Sequence, residues 1–188
     1  MKTAIILHGM PDKDEYYNSE RSSQSNSHWI PWIQRQLILK DILAQTPEMP
    51  EPYRPDYEKW CSVFDQFCLD ENTTLVGHSC GGGFLVRWLS ENKVKVGKVI
   101  LVAPWIDPDK TDTVDFFDFD IDPAITDRVK GLTIIVSDKD YQDIHTSVEQ
   151  ITKAISGTEV IAVPGKGHFV FKDMGTEAFP ELLTACLS

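Results

Sequence analysis

Short continuous apolar runs alternate along this chain with stretches in which apolar residues recur every three or four positions. The stretches at 4–7, 73–76, 98–102, 132–136 and 159–163, apolar but for Lys98, Glu159 and the threonines, have strand length and end at polar or glycine-bearing turns, the pattern of strands buried on both faces of a parallel sheet. Between them, Trp29, Trp32, Ile33, Leu37 and Leu43 predict a helix starting near Ser27, with Pro31 tolerated in its first turn. Asp56 is placed to cap a second helix carrying Tyr57, Trp60, Cys61, Phe64 and Cys68 on one stripe. Phe84, Leu85, Trp88 and Leu89 give a third its buried face, residues 144–155 a fourth, with Val148, Ile151 and Ile155 inward and His145 outward. Phe179, Leu182, Leu183 and Cys186 mark a last helix.

Three segments break the pattern. Residues 11–27 are almost wholly polar, and a loop of that length in a compact domain is usually functional or mobile. Residues 47–55 hold the densest prolines and should run extended over the surface. From 107 to 122 come seven aspartates interleaved with Phe116, Phe117 and Phe119. The spacing there does not make a calcium loop: counted from Asp118, the sixth position is Pro123 and the twelfth Val129, where glycine and glutamate are required. The acids are expected to solvate an excursion whose phenylalanines fold over either the core or a pocket mouth. The β-α alternation predicts a single α/β domain over 1–188, a three-layer sandwich with a mostly or wholly parallel sheet and helices on both faces, and ligands at the carboxyl ends of the strands.

Composition narrows the function. A net charge of −11 opposes nucleic acid and anionic lipid, since both need a basic footprint. The longest apolar run falls far short of a membrane span, and the N-terminal run is too short for a signal-peptide core, so a cytoplasmic location without membrane insertion is expected. Cys61, Cys68, Cys80 and Cys186 have no metal-ligand spacing and are expected to be reduced thiols. Gly81-Gly82-Gly83 is followed by no G-K-[ST], and G-x-G-x-x-G is absent, so no cofactor and no metal is expected. Oligomeric state leaves no mark in the sequence.

The candidate chemistry lies at Gly77-His78-Ser79-Cys80-Gly81, a G-x-S-x-G between a strand run and a helical run. A chain reversing from strand to helix over one residue strains that residue and leaves no room for bulk beside it. Such a turn exposes Ser79 and aims the first helical amides at the same point. A serine hydroxyl needs a base, and an imidazole base needs an acceptor on its other nitrogen. In this strand-turn-helix setting the partners follow in the order acid, then histidine. Asp140 and His168 follow in that order, each just past a strand. Asp138 and Asp143 near the same strand end, and Asp107 or Asp109 after the preceding one, are the competing acids. The oxyanion donors expected are the amides of Cys80 and Met10, the latter just after His8-Gly9. His8 and His78 are expected to shape loops through hydrogen bonds.

His8-Gly9, the Gly77–Gly82 turn, Ser137-Asp138-Lys139-Asp140, Gly167-His168-Phe169 and His28-Trp29-Ile30-Pro31-Trp32 together resemble the small α/β-hydrolase family related to the retinoblastoma-binding-protein serine hydrolase and its bacterial counterparts. The resemblance implies a compact hydrolase core with Ser79, Asp140 and His168 as its triad and a small-molecule acyl ester or related compound as substrate. The L-x-C-x-E signature associated with retinoblastoma binding is absent around all four cysteines, which counts against carrying over that partner. The alternative expectation is a catalytically silent protein-binding module on the same fold, served by the 11–27 and 107–122 loops.

Overall fold

The structure is a computed structural model that describes residues 1–113 and 115–188. Six strands, β1 (Thr3–Leu7), β2 (Leu43–Gln45), β3 (Thr73–His78), β4 (Val96–Val102), β5 (Val129–Val136) and β6 (Glu159–Ala162), form one sheet in the order β2-β1-β3-β4-β5-β6. Every pairing is parallel, with Leu7 opposite Gly77 and Val76 opposite Ile100 at the centre. The central strands are apolar on both faces because both faces are covered. Ile5, Ile6, Leu7, Leu75, Val76, Ile100, Leu101 and Ile134 are all buried.

The connections decide which helix covers which face. Parallel strands are joined by right-handed crossovers, so reversing direction across the sheet changes face. The chain first steps outward from β1 to β2 through α1 (Lys13–Tyr16) and α2 (Ile30–Ile38). It then crosses back and runs the other way through α3 (Tyr57–Phe64), α4 (Cys80–Glu91) and α5 (Gln142–Ala154). The aromatic packing agrees: Trp29 at the head of α2 meets Phe179 before α7 (Pro180–Leu187), while Phe64 of α3 meets Trp88 of α4. The short α6 (Phe171–Met174) follows the last strand. The reversal leaves a crevice outside the carboxyl ends of β1 and β3, the switch point where open α/β sheets bind ligands.

Several local expectations change. Leu43 belongs not to the first helix but to β2, a three-residue edge strand too short to show as an apolar run. Helix α3 ends at Phe64, so Cys68 leaves the stripe and is exposed. His145 is half-buried rather than fully solvated. Asp56 does cap α3, accepting the Lys59 N–H at 2.9 Å. The 107–122 phenylalanines settle the open choice in favour of the core. Phe116 and Phe117 are buried, Phe116 against Trp60 and Phe117 against Trp105. Among the described residues no helix is long and apolar enough to cross a membrane.

Candidate active site

β3 enters α4 through Ser79, whose backbone sits at φ 52° and ψ −120°, a conformation L-residues rarely adopt. The strain is held from both sides. Ser79 N–H donates to the Val102 carbonyl at 2.9 Å, and its own carbonyl accepts from Gly83 N–H at 3.0 Å and Trp105 N–H at 3.1 Å. Gly77 is required by space: a Cβ there would lie 2.6 Å from the Gly81 carbonyl oxygen and 2.7 Å from the Gly82 nitrogen. With the backbone so clamped, Oγ faces the crevice.

His168 reaches Ser79 from the loop after β6. Its Nε2 lies 2.9 Å from Ser79 Oγ, and its Nδ1 lies 2.8 Å from Asp140 Oδ1. Ser79 O–H donates to Nε2 when Nδ1–H donates to Asp140, the tautomer the carboxylate selects. The Asp140 side chain is 1% exposed, and Oδ1 also accepts Tyr141 N–H at 2.8 Å. Residues that sit far apart in sequence thus form one hydrogen-bonded line from carboxylate to hydroxyl.

The competing acids have other partners. Asp138 Oδ1 accepts Gly165 N–H at 2.6 Å, and Ser137 Oγ accepts Lys166 N–H at 3.0 Å, tying the His168 loop to the end of β5. Asp143, in the first turn of α5, accepts Ile144 N–H at 3.0 Å. Asp107 is buried; desolvation alone would raise its pKa, but the N–H groups of Thr113, Thr111 and Asp112 hold it below the usual value. Asp109 is exposed. Among the described residues no group of three or more His, Cys, Asp or Glu is arranged to hold a metal ion.

Four of the five histidines surround Ser79. His8 is buried, donating from Nδ1 to the Gly9 carbonyl at 2.8 Å and accepting Met49 N–H at Nε2 at 2.9 Å. Burial lowers its pKa against the opposing pull of the Gly9 carbonyl and Glu48. His78, wholly enclosed, is pushed well below the usual value by desolvation and then by its histidine neighbours, so it is neutral. Its Nε2–H donates to the His168 carbonyl at 2.9 Å, which fixes the loop carrying the imidazole. The sequence flagged both rings as loop shapers. It did not point to Asp173, whose carboxylate accepts His168 N–H at 2.8 Å, because that contact belongs to a turn whose path no periodicity encodes.

Met10 lines the crevice beside Gly9 and Ser79. Cys80 opens α4, where an N–H has no intrahelical acceptor; its thiol is buried and its pKa is raised by desolvation. The crevice has a volume of about 730 Å³ and is walled largely by the 11–28 segment on one side and residues 168–172 on the other.

The serine hydrolase family model matches residues 16–186. YdeN of Bacillus subtilis (strain 168), named as a hydrolase, is 33% identical over 106 residues, 54% of this chain and 50% of that protein, so the match spans about half the length of this curated relative. The crystal structure of the ydeN gene product superposes with a TM-score of 0.78 at 26% identity, covering 100% of this chain and 99% of that one. Est1E of Butyrivibrio proteoclasticus, solved with ferulic acid bound, shares the fold at a TM-score of 0.65 and 14% identity, covering 99% and 86%. FphF of Staphylococcus aureus, named as a fluorophosphonate-binding serine hydrolase, does so at 0.63 and 15%, covering 100% and 84%. With a family match that takes in Ser79, Asp140 and His168 on a wholly parallel α/β sheet, the chain belongs to the serine hydrolase family and has the α/β-hydrolase fold.

Proposed function

We propose that the protein is a serine hydrolase that cleaves small or medium acyl esters through an acyl-enzyme. The observation that carries this reading is the continuous Asp140–His168–Ser79 hydrogen-bond line at the switch point of the sheet. Ser79 Oγ attacks the carbonyl carbon as its proton passes to His168 Nε2, and Asp140 stabilises the imidazolium that forms. The amides of Met10 and Cys80 receive the negative charge on the carbonyl oxygen, a contribution of roughly 10²–10³ in rate per donor in comparable sites. His168 then returns the proton to the departing alcohol, and a water activated by the same ring releases the acid. His78 is a positioning residue in this scheme, since it touches the base loop and not the reacting atoms.

The names of the neighbours support the choice of test. Fluorophosphonates phosphonylate activated serines, and FphF is named for binding them. Intact-mass measurement after fluorophosphonate treatment is expected to show one adduct on the wild type and none on Ser79→Ala. Equal labelling of the two overturns Ser79 as the nucleophile, and no labelling of either leaves the silent binding module in place of the hydrolase.

A further inference from the structure

His28 stands at the head of α2 with φ 59°, an uncommon conformation for a residue with a side chain. Its Nδ1 accepts the Phe171 N–H at 3.2 Å. A neutral imidazole that accepts at Nδ1 carries its proton on Nε2. Burial lowers the pKa of this ring, with Glu15, His168, Arg21 and Asp173 as the charged or titratable groups around it, so the neutral form is the one present. Among the described residues no protein acceptor lies within hydrogen-bond reach of that Nε2–H. The ring lines the same crevice as Ser79 and His168, with its centroid 6.2 Å from that of His78, which in turn is 5.1 Å from His168.

The crevice lining mixes neutral polar side chains such as Asn18, Ser22 and Asn26 with Arg21, several carboxylates and a smaller apolar share that includes Met10 and Phe171. An apolar acyl pocket would reward each added methylene by roughly fourfold in binding. With carboxylates in its lining the crevice is not a plain alkyl pocket, and an alkyl group set against His28 would leave the Nε2–H without an acceptor where an oxygen atom would receive it. We infer that His28 contacts substrate, its Nε2–H binding an ether, hydroxyl or carbonyl oxygen near the scissile ester, so that the site takes oxygen-bearing esters in preference to plain alkyl esters. The inference rests on the hydrolase reading above, and it assigns specificity to a residue outside the Ser79, His168 and Asp140 line.

Isosteric ester pairs test it on either side of the scissile bond. The acyl pair is p-nitrophenyl methoxyacetate and p-nitrophenyl butyrate; the alcohol pair is 2-methoxyethyl acetate and butyl acetate. Within each pair one oxygen replaces one methylene, and intrinsic reactivity cancels when the oxygen-to-alkyl ratio of kcat/KM is compared between enzymes. His28→Asn keeps an acceptor where Nδ1 lies, tolerates positive φ and removes the distal donor. His28→Gln places an N–H close to the Nε2 position. A neutral hydrogen bond corresponds to roughly three- to tenfold, so in at least one pair the ratio should fall about fivefold in His28→Asn and recover to within about twofold of wild type in His28→Gln. Ratios unchanged in both pairs, or a fall that His28→Gln does not repair, overturn the inference and leave His28 as a fastener of Phe171. Wild-type enzyme that hydrolyses none of the four esters and takes no fluorophosphonate label overturns the hydrolase reading instead, so the two failures are distinct.

Discussion

Ser79 at φ 52° has its carbonyl and its N–H committed to three backbone hydrogen bonds, and only the hydroxyl is left for chemistry. Two aspartates two positions apart divide the remaining work. Asp140 accepts from the imidazole, whereas Asp138 accepts a backbone N–H of the loop that delivers it. Asp140→Asn would present an amide where an acceptor is needed and select the wrong tautomer, so kcat on a p-nitrophenyl ester should fall by about 10²–10⁴. Asp138→Asn keeps an oxygen for Gly165 N–H and should cost far less; steady-state kinetics of both variants check this, and the reverse order would reassign the acid. His78 offers a second test at this scale. Substitution by Leu removes the donor to the His168 carbonyl and should lower kcat while leaving KM nearly unchanged, with Gln recovering part of the loss.

Two elements are held by contacts that lie off the reacting line. The excursion after β4 is anchored by Asp107, which gathers three backbone N–H groups, and by Phe116 and Phe117 packed in the core. Asp107→Ala strands those donors, so stability should drop by about 1–3 kcal/mol and limited proteolysis should cut within 107–122, while Ser79 still takes a fluorophosphonate label. Helix α4 passes so close to the chain after β4 that a Cβ on Gly83 would run into the Trp105 carbonyl oxygen and lie 2.7 Å from Phe117 Cε1. Gly83→Ala is therefore expected to overpack, costing about 1–3 kcal/mol. Calorimetry should show a lower Tm, by about 2–4 °C per kcal/mol for a chain of this size. An unchanged Tm would mean that the helix can move away. The glycine triplet was visible in the sequence, but which glycine faces a ring depended on where the aspartate-rich segment folded.

At the scale of the whole molecule, burial gives a distinctive dependence on pH. Desolvation lowers the pKa of His8, His28 and His78 in the folded state. The unfolded chain protonates these rings near pH 6.5, so below that point it binds more protons than the folded chain and stability falls as pH falls. The carboxylates act in a lower window. Asp122, beside Lys93, Ala124 N–H and Arg128, is held at about 2, so its contribution is present above about 3.8 and is lost as pH falls through 2. Urea midpoints should therefore decline between about pH 7.5 and 5.5, before the carboxylates titrate, and decline less steeply in His78→Leu. A flat midpoint over that range would contradict neutral burial of the three rings.

The sequence by itself determined the alternation of strands and helices, the glycines that permit the turn at Ser79, and the order Ser79, Asp140, His168, because burial on both faces and a tight reversal impose local patterns on the residues they involve. It did not determine the edge strand β2, whose three residues carry no apolar run and expose Leu43 and Gln45 on either side of the buried Ala44. It favoured Asp140 over Asp138 on position alone but could not fix which of them meets the imidazole, since residues two apart on a turn differ only in direction. Tertiary structure placed Asp140 Oδ1 against His168 Nδ1, sent Phe116 and Phe117 to the core, and set His28 against Phe171 beside the loop carrying His168. The physical reason is the same in each case. A contact between segments 28 to 143 positions apart is fixed by how the crossovers place whole elements, and no short-range spacing of residue types records that placement.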